Sequence, residues 1–100
     1  MKQRRVRFTA TARRQVDREK AWWLQNRDYQ ETFASEVEVA LKILAILPAA
    51  GSLYPHTNVA ALRRLYLEKV AAHLYYTFDS EEVVIRALWG ARRERGPNLR

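Results

Sequence analysis

Arginine is the residue type that recurs in this chain at spacings able to do chemistry. Arg63 and Arg64 stand together inside an apolar run, and Arg92, Arg93 and Arg95 follow the apolar run 83–89. A guanidinium stays charged and holds a carboxylate or a phosphate through two parallel hydrogen bonds, so such groups suit an acidic protein or a phosphate backbone. They can also stabilise a phosphoryl transition state, but RNA cleavage then needs a second group that moves protons. None is obvious beside them. His56 and His73 are the only histidines, one in a loop and one in a strand-like run, and the chain has no cysteine. Neither has zinc-ligand spacing around it, and both read as structural. Three scattered glycines make no phosphate-cradling loop, and Ser35, Ser52 and Ser80 lie in no nucleophile-elbow context. Asp79, Glu81 and Glu82 fall in a turn between apolar runs, where acids are ordinary. No metal and no cofactor is expected.

The elements that must position these arginines follow from hydrophobic periodicity. "RVRFTA" alternates Val6 and Phe8 with Arg5 and Arg7, a short half-buried strand. Thr9 or Thr11 then caps a helix that runs to about Asn26, with Ala12, Val16 and Trp23 as a thin apolar stripe. Asp28 is a cap for a second helix over 29–47. Phe33, Val37, Ala40, Leu41, Leu44 and Leu47 make its core-facing stripe. Val39, Ile43 and Ile46 make another stripe roughly 120° around the helix at ~100° per residue. A helix apolar on two sides packs on two things. Trp22, next to Trp23, points about 100° away from it and is left for the second helix or for a partner.

Pro48 and Gly51 end that helix, and 48–61 reads as a loop. Three strand-like runs follow at 62–67, 72–78 and 83–89, the last two joined by "DSEE". The order β-α-α-β-β-β defines an α+β domain, a helical hairpin packed on one face of a small, mainly antiparallel sheet. Adjacent strands are expected to bring Arg63 and Arg64 near Arg92. Trp89 anchors that surface to the sheet, and Gly90 turns the chain out of it.

At 100 residues the chain forms one domain, 1–100, with a short basic tail from about 92. Net charge is +7, unevenly placed. Residues 1–20 carry eight basic and two acidic side chains, and 86–100 five arginines and one Glu, whereas 28–47 are acidic. Two basic ends on one side of a fold would make a positive surface. No apolar run is long enough to span a membrane. "MKQRR" opens like a secretory leader, but no apolar stretch follows it, so none is expected. The absence of cysteine excludes disulfides and fits a cytoplasmic protein.

With "VRFTATA", "ILPAAG" and "RRLYL…AHLYYTFDSEEVVIRALWGARRERGP" in this order, the chain resembles the RelE/ParE superfamily of toxins from bacterial type II toxin–antitoxin systems, the ParE branch more closely. The resemblance covers nearly the whole chain. It implies a small toxin neutralised by an antitoxin of ParD-like or similar kind, whose acidic and apolar segment wraps the helical hairpin and sheet in a hetero-oligomer. RelE-like members cut mRNA on the ribosome; ParE-like members inhibit DNA gyrase. Of the ribonuclease set, Arg92 matches the arginine at the last strand's end. Ala72 stands at the early position of the Tyr-containing strand, and the tail position falls near Asn98, so that set is largely missing. Where many ParE-like sequences carry a His before the Gly of the last strand, this one has Trp89. The resemblance therefore implies a target-binding protein rather than an enzyme, with no catalytic residue; a ribonuclease would use Arg64 and Arg92. Target contact is expected at Arg63, Arg64, Arg92, Arg93 and Arg95. Antitoxin or dimer contact is expected at Trp22, Val39, Ile43 and Ile46.

Overall fold

A computed structural model of the chain describes residues 2–26, 31–55 and 57–90. The elements are β1 (Arg5–Phe8), α1 (Ala10–Asn26), α2 (Thr32–Ile46), β2 (Ser52–Leu53), β3 (Arg63–Leu67), β4 (Ala72–Phe78) and β5 (Glu82–Gly90). They build a five-stranded sheet of order β1-β5-β4-β3-β2, with both helices on one face. The α+β order read from the sequence holds. β1 runs parallel to β5, with Val6 opposite Val83 and Phe8 opposite Ile85, while the other pairings are antiparallel.

Local sequence explains each element. Thr9 caps α1: its hydroxyl accepts the Ala12 N–H at 3.1 Å and its carbonyl accepts the Arg13 N–H at 2.9 Å. Ala12, Val16 and Trp23 are buried, as the thin stripe requires. In α2, Phe33, Val37, Ala40, Leu44 and Ala45 are buried. The first four meet Leu74 and Tyr76 of β4 and Val83, Ile85 and Leu88 of β5 in the main core. Leu47 corrects the expected stripe. It lies one residue past the helix, at φ −123° and ψ 72°, so helical spacing no longer aims it at the core, and it is 55% exposed. The expected start at residue 29 is also corrected: α2 begins at Thr32 behind Glu31, whose side chain makes no capping bond, and Asp28 itself lies outside the described residues.

The expected loop 48–61 also needs correction. Pro48–Ala50 forms a 3-10 turn, and Ser52–Leu53 adds a fifth strand by pairing with Arg64 and Arg63. Gly90 pairs with Ala72 at the end of β5, and the turn expected after it lies outside the described residues. Between Tyr75 and Tyr76 the pairing with β5 slips by one, leaving Arg86 as a bulge between Ile85 and Ala87.

Candidate functional site

Strand alternation sorts the residues of β3, β4 and β5 onto two faces. Ala72, Leu74 and Tyr76 look into the helices; His73, Tyr75 and Thr77 look away from them. The bulge at Arg86 keeps both β5 ends in phase, with Ile85 and Leu88 under the helices and Ala87 beside Tyr75 on the far side. That far face carries a second, small core of Leu62, Tyr75 and Ala87, closed by Tyr54, Val59 and Trp89. Trp89 thus anchors the end of β5 to the sheet.

Adjacent arginines in β3 take opposite faces. Arg63 turns to the helix side, where its Nη1–H donates to the Gly51 carbonyl at 2.6 Å and to the Ala49 carbonyl at 3.3 Å. Its guanidinium also approaches the Phe78 ring, 6.0 Å from the centroid. These contacts bind the loop after α2, so the geometry gives Arg63 a structural task. Arg64 lies on the helix-free face, over the Tyr54 ring at 4.8 Å, and Tyr54 meets Tyr75 edge to face at 5.2 Å. β3 and β5 are not neighbours: β4 separates them, and Arg64 is level with Ala87. The expectation that adjacent strands unite the two arginine groups is corrected to that extent. Arg92, Arg93, Arg95 and Asn98 lie outside the described residues, as does His56.

Beside Arg64 the sheet holds groups that sequence reading passed over. Tyr66 is directly opposite His73, their ring centroids 5.1 Å apart, and His73 is 6.0 Å from Tyr75. Burial, and secondarily the Arg64 charge, hold the His73 pKa below the usual histidine range. The available signal was the period-2 spacing of Arg64 and Tyr66, but the turn that sets the β3–β4 register was not legible. That turn runs through Glu68–Val70 and Ala71, whose φ of 51° is left-handed.

The helical stripe behaves as its pattern requires. Val39, Ile43 and Ile46 are 54%, 41% and 44% exposed, a row along α2 facing away from the sheet. Trp22, 43% exposed, lies on the other helix, packed edge-on to Trp23 at 6.0 Å. The row runs along α2, and Trp22 stands on α1.

The β4–β5 turn is held by its own acids. Asp79 accepts the N–H groups of Glu81 and Glu82 at 2.8 and 2.9 Å. Arg7 Nε–H donates to both carboxylate oxygens of Glu82 at 3.1 and 2.8 Å, tying β1 to β5. The backbone N–H bonds from Glu81 and Glu82, and then the charges of Arg4 and Arg7, hold the Asp79 carboxyl below its usual pKa. A depressed folded-state pKa adds stability above the unfolded-state value that is lost as pH falls through the folded one. Asp79→Ala should therefore lower Tm at neutral pH and shrink the drop in Tm on acidification, as thermal melts from pH 7 down through the carboxylate range would read. An unchanged acid limb would remove Asp79 from this role.

Among the described residues no group of three or more His, Cys, Asp or Glu side chains could hold a metal, and no helix is long and apolar enough to cross a membrane. No protein-family model matches the chain, and no curated protein matches it. Solved structures do. A chain of the chromosomal ParDE TA system from P. aeruginosa superposes with a TM-score of 0.71 at 15% identity, covering 90% of this chain and 98% of that one. At that identity the shared property is the fold: both chains carry a helical hairpin on a mostly antiparallel sheet.

Proposed function

We propose that this chain is the toxin of a type II toxin–antitoxin system, of ParE-like kind, which binds and inhibits DNA gyrase and is itself neutralised by an antitoxin. The observation that carries the proposal is the whole-length match to the ParDE chain, which leaves almost none of that chain's length uncovered. The exposed row Val39, Ile43 and Ile46, together with Trp22, supports an apolar partner wrapped on the helical hairpin. The +7 charge supports an acidic one. In this reading the toxin works in the cytoplasm as a binding protein, with no catalytic group of its own. Arg64 on the helix-free face, with Arg92, Arg93 and Arg95 in the tail, supplies target contact, whereas Arg63 serves the fold.

A ribosome-dependent mRNA endoribonuclease is the second reading. One observation favours it: His73, read from the sequence as structural, stands beside Tyr66 on the same face as Arg64, where a proton-transfer group would be needed.

Growth arrest tests the first reading. The chain expressed in a sensitive bacterial host should stop growth, co-expression of the small protein encoded beside it should restore growth, and Arg92→Ala combined with Arg93→Ala should abolish arrest while antitoxin binding stays measurable. Full toxicity of the double variant would remove the tail as the effector.

A further inference from the structure

We propose that Arg86, aimed by Thr77 out of the β5 bulge, takes a carboxylate of the target protein, so that an acidic region of that protein docks on the helix-free face of the sheet. The proposal rests on the toxin reading for the existence of a target and on the gyrase reading for its name. The site itself rests on geometry.

Val84 of β5 lies opposite Thr77 on the helix-free face, and the bulge lets Arg86 and Ala87 both follow it there. A bulge is a common means of re-aiming one side chain. Here the Arg86 Nε–H donates to the Thr77 hydroxyl at 2.8 Å, and both side chains are half-buried. That bond fixes the guanidinium plane and uses its Nε edge. The two terminal amino groups take no other partner among the described residues, and they form a fork that matches a carboxylate. Thr77 itself touches no ligand in this arrangement; it is a positioning residue.

The charge of the face selects an acidic partner. Val6 and Phe8 pack on the main core, so alternation turns Arg5 and Arg7 of β1 to the side of Arg64 and Arg86. Against these arginines the five strands carry one acid, Glu82, both oxygens of which accept from Arg7. Among the described residues the other ion pair joins Lys42 to Glu38 on α2, so no carboxylate pairs with Arg5, Arg64 or Arg86. The relief of the face favours a folded protein over a nucleic acid. Tyr54, Val59 and Leu62 pack over Tyr75 and Ala87, the residues level with Arg64 across β4 and β5. This cover stands between Arg64 and Arg86, whose strands are two spacings apart, roughly 10 Å. Forks held on either side of a raised cover suit carboxylates at separate points of a protein surface. Evenly repeated phosphates need an open track instead.

Surface plasmon resonance of the full chain on immobilised gyrase, with growth arrest in the same sensitive host, tests the proposal. Arg86→Ala should weaken gyrase affinity by about tenfold or more. Arg86→Lys, which keeps the charge and loses the fork, should stay nearer to Arg86→Ala than to the parent. Thr77→Val, isosteric but without the acceptor, should weaken binding about threefold, and Thr77→Ser should restore it. Tm and antitoxin affinity should stay close to parental values in these variants, which separates target contact from a structural role. Parental gyrase affinity and full arrest in Arg86→Ala would overturn the site, and Thr77→Ser as weak as Thr77→Val would overturn the aiming. Labelled single-stranded and duplex oligonucleotides serve as comparison ligands; dependence on Arg86 for these and not for gyrase would overturn the choice of partner. Loss of gyrase binding in the Arg92→Ala, Arg93→Ala variant but not in Arg86→Ala sinks the site and keeps the gyrase reading. A parent chain without gyrase affinity sinks the gyrase reading. Growth arrest then decides the site, which stands if Arg86→Ala abolishes arrest and falls if arrest persists or the parent never arrests.

Discussion

Tyr76→Phe, the loss of one oxygen, should lower the melting temperature by roughly 10–20 °C. The Tyr76 hydroxyl is buried at the meeting point of α2, β2 and β4. It accepts the Gly51 N–H at 2.8 Å and donates to the Pro48 carbonyl at 2.7 Å. Burial pushes its pKa up, and the Gly51 bond and the Arg63 charge only partly oppose that. Phenylalanine would fill the same space and leave a buried donor and a buried acceptor unmatched, a cost of about 2–3 kcal/mol. For a domain of this size each kcal/mol moves Tm by roughly 4–8 °C. Gly51→Ala should act at the same point and at least as strongly. A Cβ there would lie 2.6 Å from both the Arg64 carbonyl oxygen and the Tyr76 hydroxyl. Tyr66→Phe is the control: that side chain is half exposed, and its change should stay within about 0.5 kcal/mol. Thermal melts of the three variants decide the matter, and a Tyr76→Phe protein as stable as the parent would contradict this account of the loop.

Replacing Ile43 and Ile46 together by Glu should weaken antitoxin binding by about 100-fold or more while leaving the fold intact. Both side chains stand in the exposed row on α2, and neither belongs to the main core. Their replacement therefore removes apolar contact from a partner without opening a cavity in this chain. Apolar anchors at the centre of an interface are worth roughly 1–2 kcal/mol or more each, and two of them give the stated loss. The added negative charges would also repel an acidic segment. Titration calorimetry with the purified antitoxin reads the affinity, and circular dichroism reads the fold. An unchanged Kd would remove this row from the antitoxin interface and leave Trp22 as the remaining candidate.

The same contrast between local and distant causes explains what the sequence made legible. Helix faces came from spacing alone: Ala12, Val16 and Trp23 on α1 and Phe33, Val37, Ala40 and Leu44 on α2 are buried, while Val39, Ile43 and Ile46 are not. The rule failed at Leu47 because the helix ends one residue earlier. β2 was hidden for a different reason. Two residues carry no periodicity, and Ser52–Leu53 pairs because distant groups, Tyr76 and Arg63, pull the preceding turn onto the sheet. "ILPAAG" was conspicuous before its physical meaning was: Pro48 supplies a carbonyl and Gly51 the space for the Tyr76 hydroxyl. At the candidate site, alternation could separate Arg63 from Arg64, but only the β3–β4 register brings His73 opposite Tyr66. The placing of β4 between β3 and β5, which keeps Arg64 from neighbouring β5, is likewise a property of topology and not of any local run.

Supercoiling of relaxed plasmid by purified gyrase, titrated with the purified chain, tests the central claim most directly. The ParE-like reading predicts that supercoiling is lost as the chain is added and returns when the antitoxin is supplied. Full supercoiling at saturating amounts of a folded chain that still arrests growth would contradict it, and site-specific cuts in the mRNA of the arrested cells would then assign the arrest to the ribonuclease reading.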